Sequence, residues 1–186
     1  RIISDFCHRR AQKGTKVFVD PIMADNGRLY AGVPESTIGL MRSLVECADY
    51  AVPNYTEACL LTDTPMAEQI TADEARTLVD AMLALGAKSV VITSAKVDGA
   101  SAVIGYDHVA GEYFEIPFEL IPVYFPGTGD TFSAVLMGRV MSGWSLQRAT
   151  ADAMRVVAEL IERNADQEDK SAGLPIEACL DVIDHV

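Results

Sequence analysis

Lys88-Ser89-Val90-Val91-Ile92-Thr93 constrains the fold more than any other stretch of this sequence. A strand with one face in water alternates apolar and polar residues. This run does not, and so reads as a strand buried on both faces, the state of strands inside a parallel sheet covered by helices. The run is preceded by Thr71-Ala72-Asp73-Glu74, a capping box opening a helix with Ala75, Leu78, Val79, Met82 and Leu83 on one face and a stop at Gly86. Two shorter apolar strands, Lys16 to Asp20 and Ala48 to Val52, are closed by Pro21 and Pro53, with the amphipathic helix Ser36 to Cys47 between them. Helix and strand thus alternate. That order predicts an α/β chain with a mostly parallel sheet and helices on both faces, a three-layer α/β/α arrangement.

The remaining stretches fit around this frame. A helix opens the chain with Ile2, Ile3, Phe6 and Cys7, and Ile22 to Pro34 reads as a loop carrying the turn signal Asp25-Asn26-Gly27. Asn54 to Leu61 is a short helix, whose Asn54-Tyr55-Thr56-Glu57 start fits a capping box. Ser101 to Tyr106 and Glu112 to Ile116 read as a hairpin, Leu146 to Ile161 as a long helix, Arg163 to Ser171 as a surface loop and Leu174 to Val186 as a closing helix. A length of 186 residues predicts one domain over 1–186. The first residue is Arg1, inside a helical pattern with no start signal, so the sequence reads as a piece of a longer chain.

The net charge of -12 disfavours a nucleic-acid surface, which has to offset a polyanion. It leaves room for a nucleotide held by backbone N–H groups and a divalent cation. No apolar run approaches the roughly 20 residues of a membrane helix. Cys7, Cys47, Cys59 and Cys179 form no CxxC pair and read as free thiols, consistent with a reducing cytoplasm. His8, His108 and His185 are too scattered for a zinc site or a serine–histidine triad.

Chemistry concentrates in Phe125-Pro126-Gly127-Thr128-Gly129-Asp130. Two glycines make a tight turn, and Phe132, Val135, Leu136, Val140 and Met141 then recur at helical spacing. A helix start offers unpaired N–H groups and partial positive charge, which suit a phosphate. Asp130 beside a bound phosphate would be repelled by it, and so reads either as a proton acceptor or simply as a helix cap. Three strands end in polar residues: Asp20 with Asp25, Asn54 with Glu57, and Thr93 with Ser94. Ligands of such sheets bind beyond the carboxyl ends of the strands. A glycine turn for an anion, carboxylates for a cation and one carboxylate left over point to phosphoryl transfer. No GK[ST] follows the glycines, which excludes a Walker loop, and no third glycine completes a dinucleotide fingerprint. The residues alone therefore point to an ATP-dependent small-molecule kinase. A nucleotide-binding protein without turnover is the rival.

Gly127-Thr128-Gly129-Asp130, Asp20-Pro21-Ile22-Met23-Ala24-Asp25, Pro53-Asn54-Tyr55-Thr56-Glu57 and Val91-Ile92-Thr93-Ser94 occur in an order and spacing that resembles the C-terminal two-thirds of the pyridoxal kinases, in the ribokinase superfamily. The resemblance implies the ribokinase-like fold, with its first strands lying before Arg1. It also implies transfer of the ATP γ-phosphoryl group to the 5′-hydroxymethyl of pyridoxal, pyridoxine or pyridoxamine. Hydroxymethylpyrimidine phosphate kinases share the Asp-Pro-x-Met stretch but usually carry cysteine at the place of Asp130. Sugar kinases of the superfamily generally lack the Asp-Pro-Ile-Met-Ala-Asp run. Both remain alternatives, and both comparisons favour vitamin B6.

Roles follow from the same resemblance. Asp130 would be the base, and the N–H groups of Gly127, Thr128 and Gly129 would hold the transferring phosphoryl. Asn54 and Glu57 would orient magnesium-bound phosphates through water, with Asp25 a second metal contact. Asp20 and Thr93 would border a monovalent-cation (K+ or Na+) and nucleotide site, to which Val52 would offer only its carbonyl. Thr93, Ser94, Ile121, Pro122 and Val123 would form the nucleotide-facing edge. The family pattern further implies a cytoplasmic homodimer, with most contacts to the pyridine ring made by residues upstream of Arg1.

Overall fold

The computed structural model describes residues 2–184. They form two compact units, one up to Phe118 and one from Glu119 onward. The chain has the α/β class expected from the alternation.

The first unit runs α1 (Ile2–Ala11), β1 (Phe18–Val19), β2 (Ala24–Asp25), β3 (Arg28–Leu29), α2 (Ser36–Val45), β4 (Tyr50–Ala51), α3 (Tyr55–Thr62), α4 (Ala72–Ala84), β5 (Ser89–Val97), β6 (Ala100–Asp107) and β7 (Glu112–Phe118). Its five-stranded sheet has the order β1-β4-β5-β6-β7. The β1–β4 and β4–β5 ladders are parallel; β6–β7 is antiparallel, as the expected hairpin requires, and β5–β6 is antiparallel too, a pairing not anticipated from the sequence. Val90, Val91 and Ile92 are all buried although successive strand residues point to opposite faces, which is the burial that their unbroken apolar run predicts. The core gathers Val45, Leu61, Leu78, Val79 and Met82 from the helices against Val19, Ala51, Val90 and Ile92 of the strands. Phe18 and Tyr50 stack at 4.5 Å across the β1–β4 pair.

Three local expectations are corrected. Lys16 to Asp20 and Ala48 to Val52 pair over only two residues each, because Pro21 and Pro53 withhold ladder donors just beyond them. Ile22 to Pro34 is not a plain loop, since β2 and β3 pair antiparallel within it. Asn26 and Gly27 take φ of 52° and 78°, the left-handed pair that a two-residue hairpin turn needs.

The second unit packs α5 (Thr128–Met141) on α6 (Leu146–Arg163), with Phe132, Val135 and Leu136 buried on α5 and Ala149, Ala153, Val156 and Leu160 on α6. Where one closing helix is expected after Leu174, a 3-10 turn (Ile176–Cys179) and a five-residue α7 (Leu180–Asp184) form, with Pro175 standing at the break. His185 and Val186, part of that expected helix, lie outside the described residues. Arg163 ties α6 to α7 through Asp181 at 2.6 Å, and Arg139 of α5 donates to the Ile183 carbonyl.

Candidate functional site

In the first unit the polar residues lie beyond the ends of β1 and β4 and at a bulge within β5, which runs on to Val97 instead of ending at Thr93 as expected. Asn54 is the N-cap of α3: its Oδ1 accepts the Glu57 N–H at 2.9 Å, and Glu57 Oε2 accepts the Asn54 N–H at 2.9 Å. The capping box is therefore formed in full. It also does more than end a helix. Glu57 Oε1 accepts the N–H groups of Met23 at 2.9 Å and Ala24 at 3.3 Å, and Asn54 Nδ2 donates to the Ala24 carbonyl at 2.7 Å. The segment after β1 is thus stitched to the start of α3.

The side chain of Glu57 is almost wholly enclosed, at 2% exposure. Burial drives its carboxyl up to about 7, against the downward pull of the N–H bonds from Met23, Asn54 and Ala24; the nearby Asp20 carboxylate adds to the rise. Three of its four lone-pair sites are taken by those N–H groups, so Glu57 is a fastening for backbone rather than a carboxylate open to a cation.

Thr93 joins this rim through a parallel bridge to Asn54, its N–H donating to the Pro53 carbonyl at 3.0 Å. The β5–β6 register shifts between Ile92 and Ala95, and Ser94 is held at φ 59°. A non-glycine residue is seldom left-handed, and such strain gathers at functional sites. The bulge leaves Thr93 half-buried and Ser94 exposed. Asp25, half-buried on β2, accepts from the Asn26 N–H at 2.8 Å and from Asn26 Nδ2 at 3.1 Å. Among the described residues no three His, Cys, Asp or Glu side chains are grouped to hold a metal. The donors present suit magnesium all the same, because that ion prefers one or two carboxylates plus waters and phosphate oxygens to an all-protein cage.

In the second unit Gly127 caps α5 at φ 83°, a conformation that glycine takes without steric cost. Thr128, Gly129 and Asp130 form the first turn, whose N–H groups have no partner within the helix. Thr131 fixes the turn by donating its N–H and its hydroxyl to the Gly127 carbonyl, at 3.0 and 2.9 Å. Asp130 is exposed, and its Oδ2 would stand 3.8 Å from a Cβ built on Gly127, so the carboxylate lies over the glycine turn. Together Pro126, Gly127, Asp130 and Thr131 line an open groove of about 400 Å³, whose other wall is Ala172, Gly173, Leu174 and Ile176.

Ile121, Pro122 and Val123, expected at the nucleotide edge, lie in the connection between β7 and α5 and are not part of that groove's lining. The wall from Ala172 to Ile176 is not among the expected site residues. Gly173-Leu174-Pro175, a turn signal after a polar run, was its trace in the sequence. Thr56 is also absent from the expected set, although its hydroxyl accepts the Gly27 N–H at 3.0 Å. Nothing in a capping-box pattern singles out that position.

The family described as phosphomethylpyrimidine kinase matches this chain over residues 2–174. The pyridoxal kinase of Arabidopsis thaliana is 32% identical over 174 residues, covering 88% of this chain and 53% of that protein. A Bacteroides thetaiotaomicron structure solved with pyridoxal superposes with a TM-score of 0.90 at 32% identity, over 98% of this chain and 65% of that one. The Leishmania donovani pyridoxal kinase in complex with ADP and ginkgotoxin gives a TM-score of 0.78 at 26% identity, over 98% of this chain and 65% of its own. The chain thus spans about half the length of the Arabidopsis relative.

Proposed function

The chain belongs to the phosphomethylpyrimidine kinase family, and from that premise we propose that it forms part of an ATP-dependent kinase of vitamin B6 alcohols. The acceptor is the 5′-hydroxymethyl group of pyridoxal, pyridoxine or pyridoxamine. One observation carries the reading: an exposed carboxylate, Asp130, lies over the glycine turn that starts α5, and Gly127 and Asp130 both line a groove. The pyridoxal and ADP bound by the relatives supply the two substrate classes.

In this mechanism the N–H groups of Gly127, Thr128 and Gly129 hold the transferring phosphoryl, where negative charge develops. Asp130 accepts the hydroxyl proton as the alcohol oxygen bonds to the γ-phosphorus and ADP leaves. Asn54, fixed by Glu57, Thr93 with Ser94, and the loop Ile121-Pro122-Val123 orient the nucleotide. Asp25, Asp20 and Thr93 would hold the cation side of the site, and Glu57 would act on it through the backbone that it fixes and through water. Magnesium would supply neutralisation of the phosphate charge, and Asp20 and Thr93 would be the residues to hold K+ or Na+. The two compact units serve as one kinase domain in this reading. In this reading the protein works in the cytoplasm, in keeping with its four free thiols, and as a homodimer, which the family resemblance alone suggests.

The family's own description favours a second acceptor class, hydroxymethylpyrimidine phosphates. A coupled ADP-release assay on the full-length protein separates the two, run with pyridoxal, pyridoxine, pyridoxamine, hydroxymethylpyrimidine, hydroxymethylpyrimidine phosphate and ribose. Turnover of a B6 alcohol above the others is expected. Turnover of hydroxymethylpyrimidine, its phosphate or ribose with none of any B6 vitamer would overturn the assignment.

A further inference from the structure

The hairpin β2–β3 contains four paired residues, far fewer than an independent hairpin needs to stand in water. Its base is held by Glu57 and Asn54, as described above. Its tip is held by a different residue. Gly27, in the turn, donates its N–H to Thr56 Oγ1 at 3.0 Å across 29 positions of sequence. Thr56 is the second residue of α3 and is buried at 6% exposure, yet the capping box uses only Asn54 and Glu57. A buried hydroxyl at this place has to find a hydrogen-bond partner, and the partner it has is the hairpin tip.

The contact reaches a candidate site residue in two steps. Gly27 follows Asn26, and Asn26 fixes both carboxylate oxygens of Asp25, Oδ1 through its backbone N–H and Oδ2 through its side-chain amide. Without the Thr56 clasp, the base contacts at Met23 and Ala24 would persist while the turn that orients Asp25 swings free. We propose that Thr56 is a positioning residue for phosphoryl transfer, clasping the hairpin tip to α3 so that Asp25 presents its carboxylate in one direction. This role rests on the kinase reading above, in which Asp25 meets the cation side of the nucleotide.

The test uses the full-length protein as wild type, Thr56→Val, which keeps the shape and removes the hydroxyl, and Thr56→Ser, which restores it. Residue-resolved amide exchange should show Gly27 exchanging about 10-fold faster in Thr56→Val, the effect of losing one hydrogen bond, with Met23 and Ala24 unchanged. Steady-state kinetics should show kcat/KM for MgATP falling by about 10-fold while KM for the B6 alcohol holds, and Thr56→Ser should recover both readouts. Thr56→Ala supplies the same comparison if the valine variant does not fold. Wild-type Gly27 exchange in Thr56→Val and Thr56→Ala would overturn the clasp, as would faster exchange with unchanged kinetics. A wild type that turns over no B6 alcohol would instead defeat the kinase reading and, with it, any catalytic consequence of the clasp.

Discussion

Glu57 Oε1 accepts the backbone N–H of Met23 at 2.9 Å, a bond between the first turn of α3 and the segment that follows β1, 34 positions earlier. It makes one carboxylate serve two purposes. The Asn-x-x-Glu pattern ends a helix as a capping box, and the same glutamate fastens the stretch that carries Asp25. A cap alone needs one oxygen; the second would otherwise face water. Enclosing it costs desolvation, which the N–H groups from Met23 and Ala24 offset only in part.

That imbalance sets a pH dependence. Glu57 has an ordinary value of 4.5 and is raised to about 7 in the folded chain, so the native state binds its proton more tightly than the unfolded one. Its contribution to stability is whole below the lower value and is lost as pH rises through about 7, by on the order of 3 kcal/mol. Urea unfolding of wild type and Glu57→Gln between pH 5 and 8 should show wild type losing stability relative to the variant as pH rises to about 7. Parallel pH profiles for the two proteins would contradict it.

In the second unit Asp152 behaves in the opposite sense. Burial raises its carboxyl, but the hydrogen bonds and charges of Arg139 and Arg155 outweigh burial and hold it below the usual range. Stability from this group is present above about 3.8 and lost as pH falls through the lowered folded value. Asp152 and Arg139 meet at 2.7 Å, with both side chains only 12% exposed. Asp152→Ala should leave Arg139 uncompensated and cost about 3 kcal/mol in chemical denaturation at pH 7. A loss below about 0.5 kcal/mol would place the pair with ordinary surface bridges.

Gly105 sits in β6 where no side chain fits. A Cβ there would lie 2.4 Å from the Val90 carbonyl oxygen and 2.5 Å from the Phe114 ring. The ring can turn, but the strand backbone cannot retreat without breaking its ladder. Gly105→Ala should cost about 3 kcal/mol of unfolding free energy, at the upper end of ordinary overpacking. An unchanged denaturation midpoint would show that β5 and β6 yield more readily than their packing implies.

The α/β order and most helix starts were legible in the sequence because they rest on local chemistry. The unbroken Val90-Val91-Ile92 run, the capping boxes at Asn54 and Thr71, and the Asn26-Gly27 turn each act within a few residues. What escaped depends on contacts between distant positions. The pairing of β2 with β3 needed the anchors at Glu57 and Thr56, and the wall from Ala172 to Ile176 meets the glycine turn some 45 residues after it. The Glu57 carboxylate was visible as a charged residue but not as an enclosed one, because burial belongs to the fold rather than to the motif.

A base role for Asp130 is tested most directly by Asp130→Asn in the full-length protein. Two quantities are needed, kcat with saturating MgATP and pyridoxal, and ATP affinity by equilibrium titration. Loss of a general base predicts a fall in kcat of about 100-fold or more with ATP affinity changed by less than about 3-fold. A collapse of ATP affinity with kcat preserved would make Asp130 a structural cap of α5, and the proposed chemistry would fail with it.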